Sequence, residues 1–181
     1  RGVSRLARAL ASWAGLPESD RQRLELAGLL HDLGKLRVPD EILDKPAPLD
    51  DEELAVMERH SFDSGLILGG ISGLQDVAVW ASEHHEAPDR RGYPHRNADD
   101  SLGIQSRILA VADVFQALAQ DRPYRPSLPP RGILRVLDER VHSAKLDGDV
   151  VGLVRDNLSE CWALAHEPQP EGAAAPNRAD A

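Results

Sequence analysis

Residues 83–94 read EHHEAPDRRGYP and place two adjacent histidines, His84 and His85, at the end of an apolar helical pattern. Two neighbouring histidines that leave a helix together can reach adjacent points in space, as a site with more than one metal ion requires. The polar loop that follows carries Arg90 and Arg91, which are placed to meet an anionic ligand. This stretch predicts a metal site at a helix end, provided that other segments supply further ligands.

The segments around this stretch also have helical periodicity. Apolar residues recur at helical spacing within residues 3–14, 24–31, 54–60, 74–81, 104–118, 133–141 and 150–165, and residues 39–43 resemble a short helical turn. Asp50 and Glu53 form a capping-box pattern before the helix that leads to His60. Strict alternation typical of a half-buried strand is absent from the sequence, as is any internal repeat. The sequence therefore predicts an all-α fold.

Length and composition fit one globular domain. The chain has 181 residues, of which 41% are apolar, enough for a substantial core. We expect the domain to cover residues 1–165 and the Pro-, Ala- and charge-rich residues 166–181 to form a disordered tail. Because Met57 is the only methionine and a helical pattern starts at residue 1, we expect the chain to be a fragment of a longer protein.

Charge and hydropathy exclude several classes of protein. The net charge of −9 argues against a protein that coats a nucleic-acid polymer, although a small phosphate ligand needs only a local basic cluster. No apolar run reaches the roughly 18–20 residues of a membrane span, and no signal peptide opens the chain. The single cysteine, Cys161, excludes an internal disulfide framework, predicts a small buried residue and fits a cytoplasmic location.

Six potential metal ligands fall on or at the ends of predicted helices: His31, Asp32, His60, His84, His85 and Asp113. Imidazole and carboxylate together suit first-row metals such as iron, manganese or zinc, and a carboxylate can bridge two ions. Helical bundles build such sites by pointing side chains from several helices into one cavity. Taken singly, a helical histidine is more often a hydrogen-bonded core or surface residue. Asp113 is different, because a carboxylate in an apolar stretch is costly without a partner.

Several motifs together resemble one known family. His31-Asp32-Leu33-Gly34-Lys35 resembles the HD-x-G-K motif of the HD phosphohydrolase superfamily, and His84-His85-Glu86 followed by Gly92-Tyr93-Pro94 resembles its HD-GYP subfamily. Blocks around His60, around Asp113 and over residues 121–125 follow in that subfamily's order. The resemblance covers roughly residues 3–155.

The resemblance implies an HD-type helical bundle with a metal site in its core and a metal-dependent phosphodiesterase that hydrolyses cyclic di-GMP to pGpG or GMP. It implies two divalent ions, with iron or manganese expected. The six residues above would be the metal ligands, with Asp32 as the bridge. Lys35 would act with Asp32 in catalysis by holding a phosphate oxygen, and the other substrate contacts would be Gly92, Tyr93, Pro94, Arg122 and Arg125.

The chemistry of such a site is consistent with these roles. Two metals lower the pKa of a water between them, and the resulting hydroxide attacks phosphorus in line while Lys35 and the metals neutralise phosphoryl charge. Arginine can grip a phosphate with two hydrogen bonds or stack on guanine. Arg122 and Arg125 are equally explained as a solvated pair, Tyr93 as a packing residue, and the neighbouring Gly and Pro as a turn.

The sequence departs from the family pattern at two positions. Arg90 stands where the family often has glycine; if that glycine takes a positive φ angle, Arg90 must follow another path or accept strain. Gln116 replaces a second aspartate, without loss of an expected ligand. Family members with a third metal take a Glu and a His from the helix before the HD motif, and by register these positions precede Arg1. The sequence thus supports two metals, with a third metal and a regulatory domain left to the upstream part of the protein.

Two other functions stay open. The chain could be a non-catalytic sensor or interaction module that binds a cyclic dinucleotide, although such a module has no chemical need for six metal-binding side chains. It could also be an HD phosphohydrolase that acts on another nucleotide, since nothing in the residues fixes guanine over adenine. The sequence also leaves a homodimer open.

Overall fold

The structure, a computed structural model, describes residues 1–96, 102–121 and 126–166. The α-helices are α1 (Gly2–Trp13), α2 (Glu18–Leu30), α3 (Asp40–Leu43), α4 (Asp51–Gly69), α5 (Gln75–Glu83), α6 (Ile104–Ala119), α7 (Pro130–His142), α8 (Gly148–Asp156) and α9 (Leu158–His166). A 3-10 helix, Leu33–Arg37, lies between α2 and α3. No strand occurs within these ranges, and the all-α prediction is confirmed.

The helix ends mostly follow from local sequence. The capping box that opens α4 is present: Glu53 N–H donates to Asp50 Oδ1 at 2.9 Å, and Asp50 N–H donates to Glu53 Oε2 at 3.0 Å. The prediction of one helix over residues 150–165 is wrong, because α8 ends at Asp156 and α9 starts at Leu158. Asn157 separates them, and its side-chain amide donates to the Leu153 carbonyl at 2.9 Å. The Asn157 backbone N–H donates to the Leu153 and Val154 carbonyls as well, at 3.2 and 3.3 Å. A side chain that competes for a helix carbonyl in this way favours a stop there.

Helix α6 is the central element of the core. It packs against α1, α2, α5, α7, α8 and α9. Its large apolar side chains are fully buried, among them Ile108, Leu109 and Phe115, and they meet Leu6 and Leu10 of α1. Because α6 is enclosed in this way, Asp113 on the same helix is held in a mostly buried position.

The segment that carries the HD pair is clamped to α4. Helix α2 ends at Leu30, and Gly34 lies inside the 3-10 helix. A Cβ atom on Gly34 would lie 2.0 Å from the His60 carbonyl oxygen, so no side chain fits there. Gly34 N–H donates to Ser64 Oγ at 2.8 Å, and Ser64 Oγ–H donates to the His31 carbonyl at 2.6 Å. These contacts fix His31 relative to His60.

The C-terminal part of the core is packed through α9. Cys161 is buried, as predicted, and burial raises the pKa of its thiol to about 12. Gln116 is also buried, and its amide donates to the Ala165 carbonyl at 3.2 Å. Helix α9 ends at His166, the first residue of the predicted tail, and residues 167–181 lie outside the described part of the chain. None of the described helices is both long and apolar enough to cross a membrane.

Candidate metal centre and adjoining pocket

Three histidines are oriented in the same way. Nδ1 of His31, His60 and His84 lies 3.1, 2.6 and 2.6 Å, respectively, from the backbone carbonyl oxygen three residues earlier. A carbonyl oxygen only accepts, so each Nδ1 carries the donated proton. Nε2 of the neutral ring then offers a lone pair, and the ring orientation is fixed, as is usual for metal-ligating histidines.

The structure brings the predicted ligands together in two overlapping groups. The ligand atoms of His60, His84 and His85 lie within 4.8 Å of one another, and so do those of His31, His84 and Asp113. His84 belongs to both groups, and its ring centroid is 3.9 Å from that of His85 and 4.9 Å from that of His31. The cluster is therefore one continuous site built from the ends of α2 and α5 and from the interiors of α4 and α6.

Asp32 lies between the two groups. Its Oδ2 is 3.5 Å from His31 Nε2, and its Oδ1 is 3.4 Å from His60 Nε2. Lys35 Nζ donates to Oδ2 at 2.6 Å. Because the two oxygens face different histidines, this carboxylate has the arrangement of a ligand shared between two ions.

The buried nitrogens of the site fit a bound metal. Nε2 of His60 and Nε2 of His84 are buried and lack a hydrogen-bond partner among the described residues. The 3.4 Å approach of His60 Nε2 to Asp32 is an ion-pair contact without hydrogen-bond geometry. Buried polar atoms are rarely left unpaired, and their desolvation costs about 1–3 kcal/mol each. Coordination to a divalent ion would satisfy both nitrogens.

Most of the cluster is held in the protonation states that metal binding needs. Burial lowers the pKa of His84 well below its usual value, and burial lowers the pKa of His85 to about 4 against the opposing charge of Asp113. Burial alone would raise the pKa of Asp113, yet the hydrogen bond and charge of His31 outweigh it and hold the pKa at about 2. For Asp32, burial is likewise outweighed, by His60, His31 and Lys35, and its pKa is lowered. Neutral imidazoles and ionised carboxylates are the ligating forms.

His31 is the exception within the cluster. Burial tends to lower the pKa of its ring, but the hydrogen bond with Asp113 and the charges of Asp32 and Asp113 outweigh burial and raise the pKa. An ion bound at Nε2 competes with the proton that this raised pKa favours, so metal affinity is expected to rise with pH as the ring loses its proton.

Acidification of the metal-free protein below pH 6.5 is expected to lower its free energy of unfolding. The pKa of His85 falls from 6.5 in the unfolded chain to about 4 in the folded one, so the unfolded state takes up the proton first. Stability is then lost from pH 6.5 down to about 4, and His85 accounts for roughly 3 kcal/mol of it. His84 acts in the same direction, whereas the raised pKa of His31 opposes it.

Urea unfolding in EDTA at several pH values between 7.5 and 4.5 measures this loss. His85→Gln is the matched variant, because it removes the titrating ring and should flatten the profile. Equal slopes for the wild type and the variant would contradict the assignment to His85.

The loop after α5 is folded back on the histidine pair. Buried Glu86 accepts the backbone N–H groups of His95 and Arg96 at 2.5 and 3.0 Å. A Cβ atom on Gly92 would lie 2.5 Å from the His85 carbonyl oxygen, and Tyr93 N–H donates to that same oxygen at 3.2 Å. Gly92 is therefore required for the close approach of the loop to the helix end.

The ring of Tyr93 packs against two histidines of the site. Its ring centroid is 4.7 Å from that of His85 and 6.4 Å from that of His60. Burial, together with the charges of Glu58, Asp113 and Asp32, raises the pKa of its phenol. The phenol thus stays protonated and can donate a hydrogen bond at neutral pH.

A pocket of about 350 Å³ opens beside His84 and His85, and a second one of about 330 Å³ adjoins it. Both are lined by Glu58, Arg91, Gly92 and Tyr93. Volumes of this size lie within the usual range for small-molecule sites. Pro94 is absent from the described lining of either pocket, and the predicted contacts Arg122 and Arg125 lie outside the described residues.

Two further basic residues line the pocket, and no motif in the sequence marks them. Arg140 at the end of α7 and Lys145 in the turn before α8 line the pocket that contains the histidine pair. In the sequence they belong to an ordinary polar helix end, and only tertiary packing brings them near His84. No local signal in the sequence could have singled them out.

Arg90 has a left-handed backbone, with φ of 61°. The sequence left two possibilities for Arg90, a different backbone path or a strained one, and the structure has the strained conformation. The left-handed region costs about 1–2 kcal/mol for a residue other than glycine.

Arg90→Gly is expected to raise the free energy of unfolding by roughly 0.5–1 kcal/mol, because relief of this strain exceeds the extra backbone entropy of glycine. Chemical denaturation measures the change. Arg91→Gly is the control, since Arg91 is not among the residues with positive φ, and it should lose stability. Equal losses for both variants would show that Arg90 is not strained.

Taken together, the fold and the site define a helical bundle that gathers four histidines and two aspartates in a candidate metal centre. The family model described as "HD domain" matches residues 1–150, and the chain belongs to this family. The resemblance to the HD-GYP subfamily is confirmed as well.

Curated relatives cover most of the chain. The 3'3'-cGAMP-specific phosphodiesterase 1 of Vibrio cholerae serotype O1 is 38% identical over 168 residues, which are 93% of this chain and 39% of the relative. The cyclic di-GMP phosphodiesterase response regulator RpfG of Xanthomonas campestris pv. campestris is 39% identical over 125 residues, 68% of this chain and 33% of the relative. The chain thus spans about two fifths or less of the length of these relatives.

Solved structures share the fold. An HDG"Y"P protein from Bdellovibrio bacteriovorus superposes with a TM-score of 0.69 at 21% identity, over 87% of this chain and 50% of that one. The HD domain of L. monocytogenes phosphodiesterase PgpH, in complex with cyclic-di-AMP, has a TM-score of 0.66 at 15% identity, over 94% and 91% of the two chains. At these identities the likeness concerns the fold alone.

Proposed function

We propose that this chain is a metal-dependent phosphodiesterase that hydrolyses a cyclic dinucleotide, with cyclic di-GMP as the first candidate substrate. The observation that carries the proposal is a cluster of six side chains of types that can ligate metal ions, of which His84 and His85 line a pocket of about 350 Å³. The names of the curated relatives, cyclic di-GMP and 3'3'-cGAMP phosphodiesterases, support the same class of reaction.

The proposed cofactor is a pair of divalent ions, iron or manganese. Their proposed ligands are the four histidines and two aspartates of the cluster, with Asp32 shared between the ions. When bound, such ions make hydroxide available near neutral pH and stabilise charge on phosphoryl oxygens. The two buried, unpaired Nε2 atoms of His60 and His84 support this assignment.

The chain's own residues position and neutralise the phosphate. Lys35 is held 2.6 Å from Asp32 and is still partly exposed, so its ammonium group can meet a phosphoryl oxygen at the edge of the cluster. Tyr93 can donate a hydrogen bond from its protonated phenol to a substrate oxygen. Gly92 allows the loop that carries Tyr93 to approach the histidine pair closely. Pro94, Arg122 and Arg125 stay proposed substrate contacts on the resemblance alone.

A second candidate substrate is 3'3'-cGAMP. It is favoured by the curated relative that aligns over 93% of this chain and bears that specificity in its name. The sensor alternative is weaker, since a site that only binds a nucleotide has no need for buried histidines kept neutral near pH 7.

Product chromatography tests the proposal. The purified chain is stripped with EDTA, reloaded with Mn²⁺ or Fe²⁺, and incubated separately with cyclic di-GMP, 3'3'-cGAMP and cyclic di-AMP. We expect linear dinucleotides or mononucleotides, pGpG or GMP from cyclic di-GMP, only after reloading. Binding of cyclic di-GMP without any product would favour the sensor, and turnover of cyclic di-AMP alone would overturn the proposed substrate.

From the resemblance to the HD-GYP subfamily we also propose features of the larger protein. These are a regulatory domain upstream of residue 1, a third metal held by ligands there, and assembly as a homodimer in the cytoplasm. The greater length of the curated relatives is consistent with further domains.

A further inference from the structure

The pocket beside the histidine pair has a wall that carries none of the six ligands. Arg140 lies in the last turn of α7, Lys145 lies in the turn before α8, and both line the pocket together with Leu146. We call these three residues the α7–α8 wall. The proposed metal ligands lie in α4 and α6 and directly after α2 and α5, so this wall approaches the pocket from a separate part of the bundle.

The wall is tied to the loop by backbone hydrogen bonds. Asp89 N–H donates to the Ala144 carbonyl at 2.8 Å, which joins the loop after α5 to the turn after α7. Within the turn, Lys145 N–H donates to the Arg140 carbonyl at 2.8 Å, and Ala144 takes a left-handed φ of 52°. Lys145 and Arg140 are thus held side by side on the pocket.

The two cations of the α7–α8 wall are unpaired, whereas most of the carboxylates that line the pocket accept backbone hydrogen bonds. The side chains of Arg140 and Lys145 make no hydrogen bond or ion pair with any residue in the described ranges, and both are exposed. Three carboxylates also line the pocket: Glu86 accepts two loop N–H groups and Asp89 accepts one, whereas Glu58 has no side-chain partner in the described ranges. The pocket therefore presents unpaired positive charge on the side of the α7–α8 wall.

We propose that Arg140 and Lys145 bind the second phosphate of the cyclic dinucleotide, the one that is not being cleaved. This inference rests on the proposed function. In the proposed reaction, the phosphate that is cleaved lies beside the histidines and Lys35. Lys35 does not line this pocket, so the wall lies apart from the position of the cleaved phosphate. A cyclic dinucleotide has a second anionic group, and an unpaired Arg–Lys pair matches it, because guanidinium and ammonium groups form charge-assisted hydrogen bonds with phosphate oxygens.

The experiment compares Arg140→Gln, Lys145→Gln and the double variant with Arg131→Gln. Arg131 is an exposed arginine near the start of the same helix and does not line this pocket, so it controls for loss of charge. The dissociation constant for cyclic di-GMP or 3'3'-cGAMP is measured by calorimetry on the EDTA-treated chain. KM and kcat are then measured on the reloaded chain with the same nucleotide and with bis(p-nitrophenyl) phosphate, which has a single phosphodiester.

We expect the dissociation constant and the KM for the nucleotide to rise about tenfold in each single variant, the usual effect of losing a charge-assisted hydrogen bond. Turnover of bis(p-nitrophenyl) phosphate and the behaviour of Arg131→Gln should stay within twofold of the wild type. Unchanged nucleotide binding in the double variant would overturn the role of the wall. Equal losses on both substrates would overturn the assignment to the second phosphate. A wild-type chain that neither binds nor hydrolyses these nucleotides would instead contradict the proposed function itself.

Discussion

Asp32→Ala is expected to abolish metal binding at the shared position and to lower phosphodiester hydrolysis by roughly 10³-fold or more, since a bound ion supplies several kcal/mol of charge stabilisation. Asp32 is the only residue within ion-pair distance of His31, His60 and Lys35 at once in the described part of the chain. Its removal leaves the histidines without the carboxylate between them and leaves Lys35 without its partner. Metal analysis and product chromatography on the same preparation measure both effects.

Asp76→Ala is the matched control. Asp76 lies on α5, the helix that leads to His84, but it is largely exposed and pairs with Arg23 at 3.1 Å. This variant should keep the metal content and the activity of the wild type. If Asp32→Ala lost its metal and still hydrolysed the substrate at the wild-type rate, the metal mechanism would be wrong.

Gly34→Ala is expected to destabilise the fold by about 3 kcal/mol or more and to weaken metal binding with it. Its Cβ atom would meet the His60 carbonyl oxygen at 2.0 Å and the Ser64 nitrogen at 2.7 Å. Both contacts are with backbone, so the 3-10 helix and α4 must separate, and overpacking of this kind costs about 1–3 kcal/mol or more. That separation moves His31 away from His60.

Gly152→Ala is the matched control, and this Gly-to-Ala change is expected to stabilise the protein. Gly152 lies in α8, and a Cβ atom there would have no neighbour within 4 Å in the described structure. Alanine should raise the free energy of unfolding by about 0.5–1 kcal/mol through its higher helix propensity. Thermal unfolding of both variants, together with their metal content, tests the pair. A Gly34→Ala protein as stable as the wild type would contradict the close packing of the HD segment.

Most of the helices and the residues that the structure gathers in the cluster were predictable, because they depend on local pattern and on short motifs. The periodicity in residues 104–118 predicted α6, and the carboxylate of Asp113 within it was already a costly feature that needed a partner. The structure supplies that partner, since His31 Nε2 lies 3.4 Å from Asp113 Oδ1.

Other features depend on information that periodicity does not contain. Apolar spacing runs through Asn157, so the pattern does not predict the break between α8 and α9, where the Asn157 side chain donates to the Leu153 carbonyl. The position of Arg140 and Lys145 beside His84 depends on how α7 and the following turn pack against the loop. The left-handed φ of Arg90 was one of two alternatives, and only the closed loop decides between them.

Anomalous diffraction from crystals grown with Mn²⁺ tests the central claim most directly, because it locates the ions without relying on turnover. We expect two peaks within the cluster formed by His31, His60, His84, His85 and Asp113, with Asp32 between them. Peaks only elsewhere on the protein, or none in this cluster at saturating Mn²⁺, would contradict this claim.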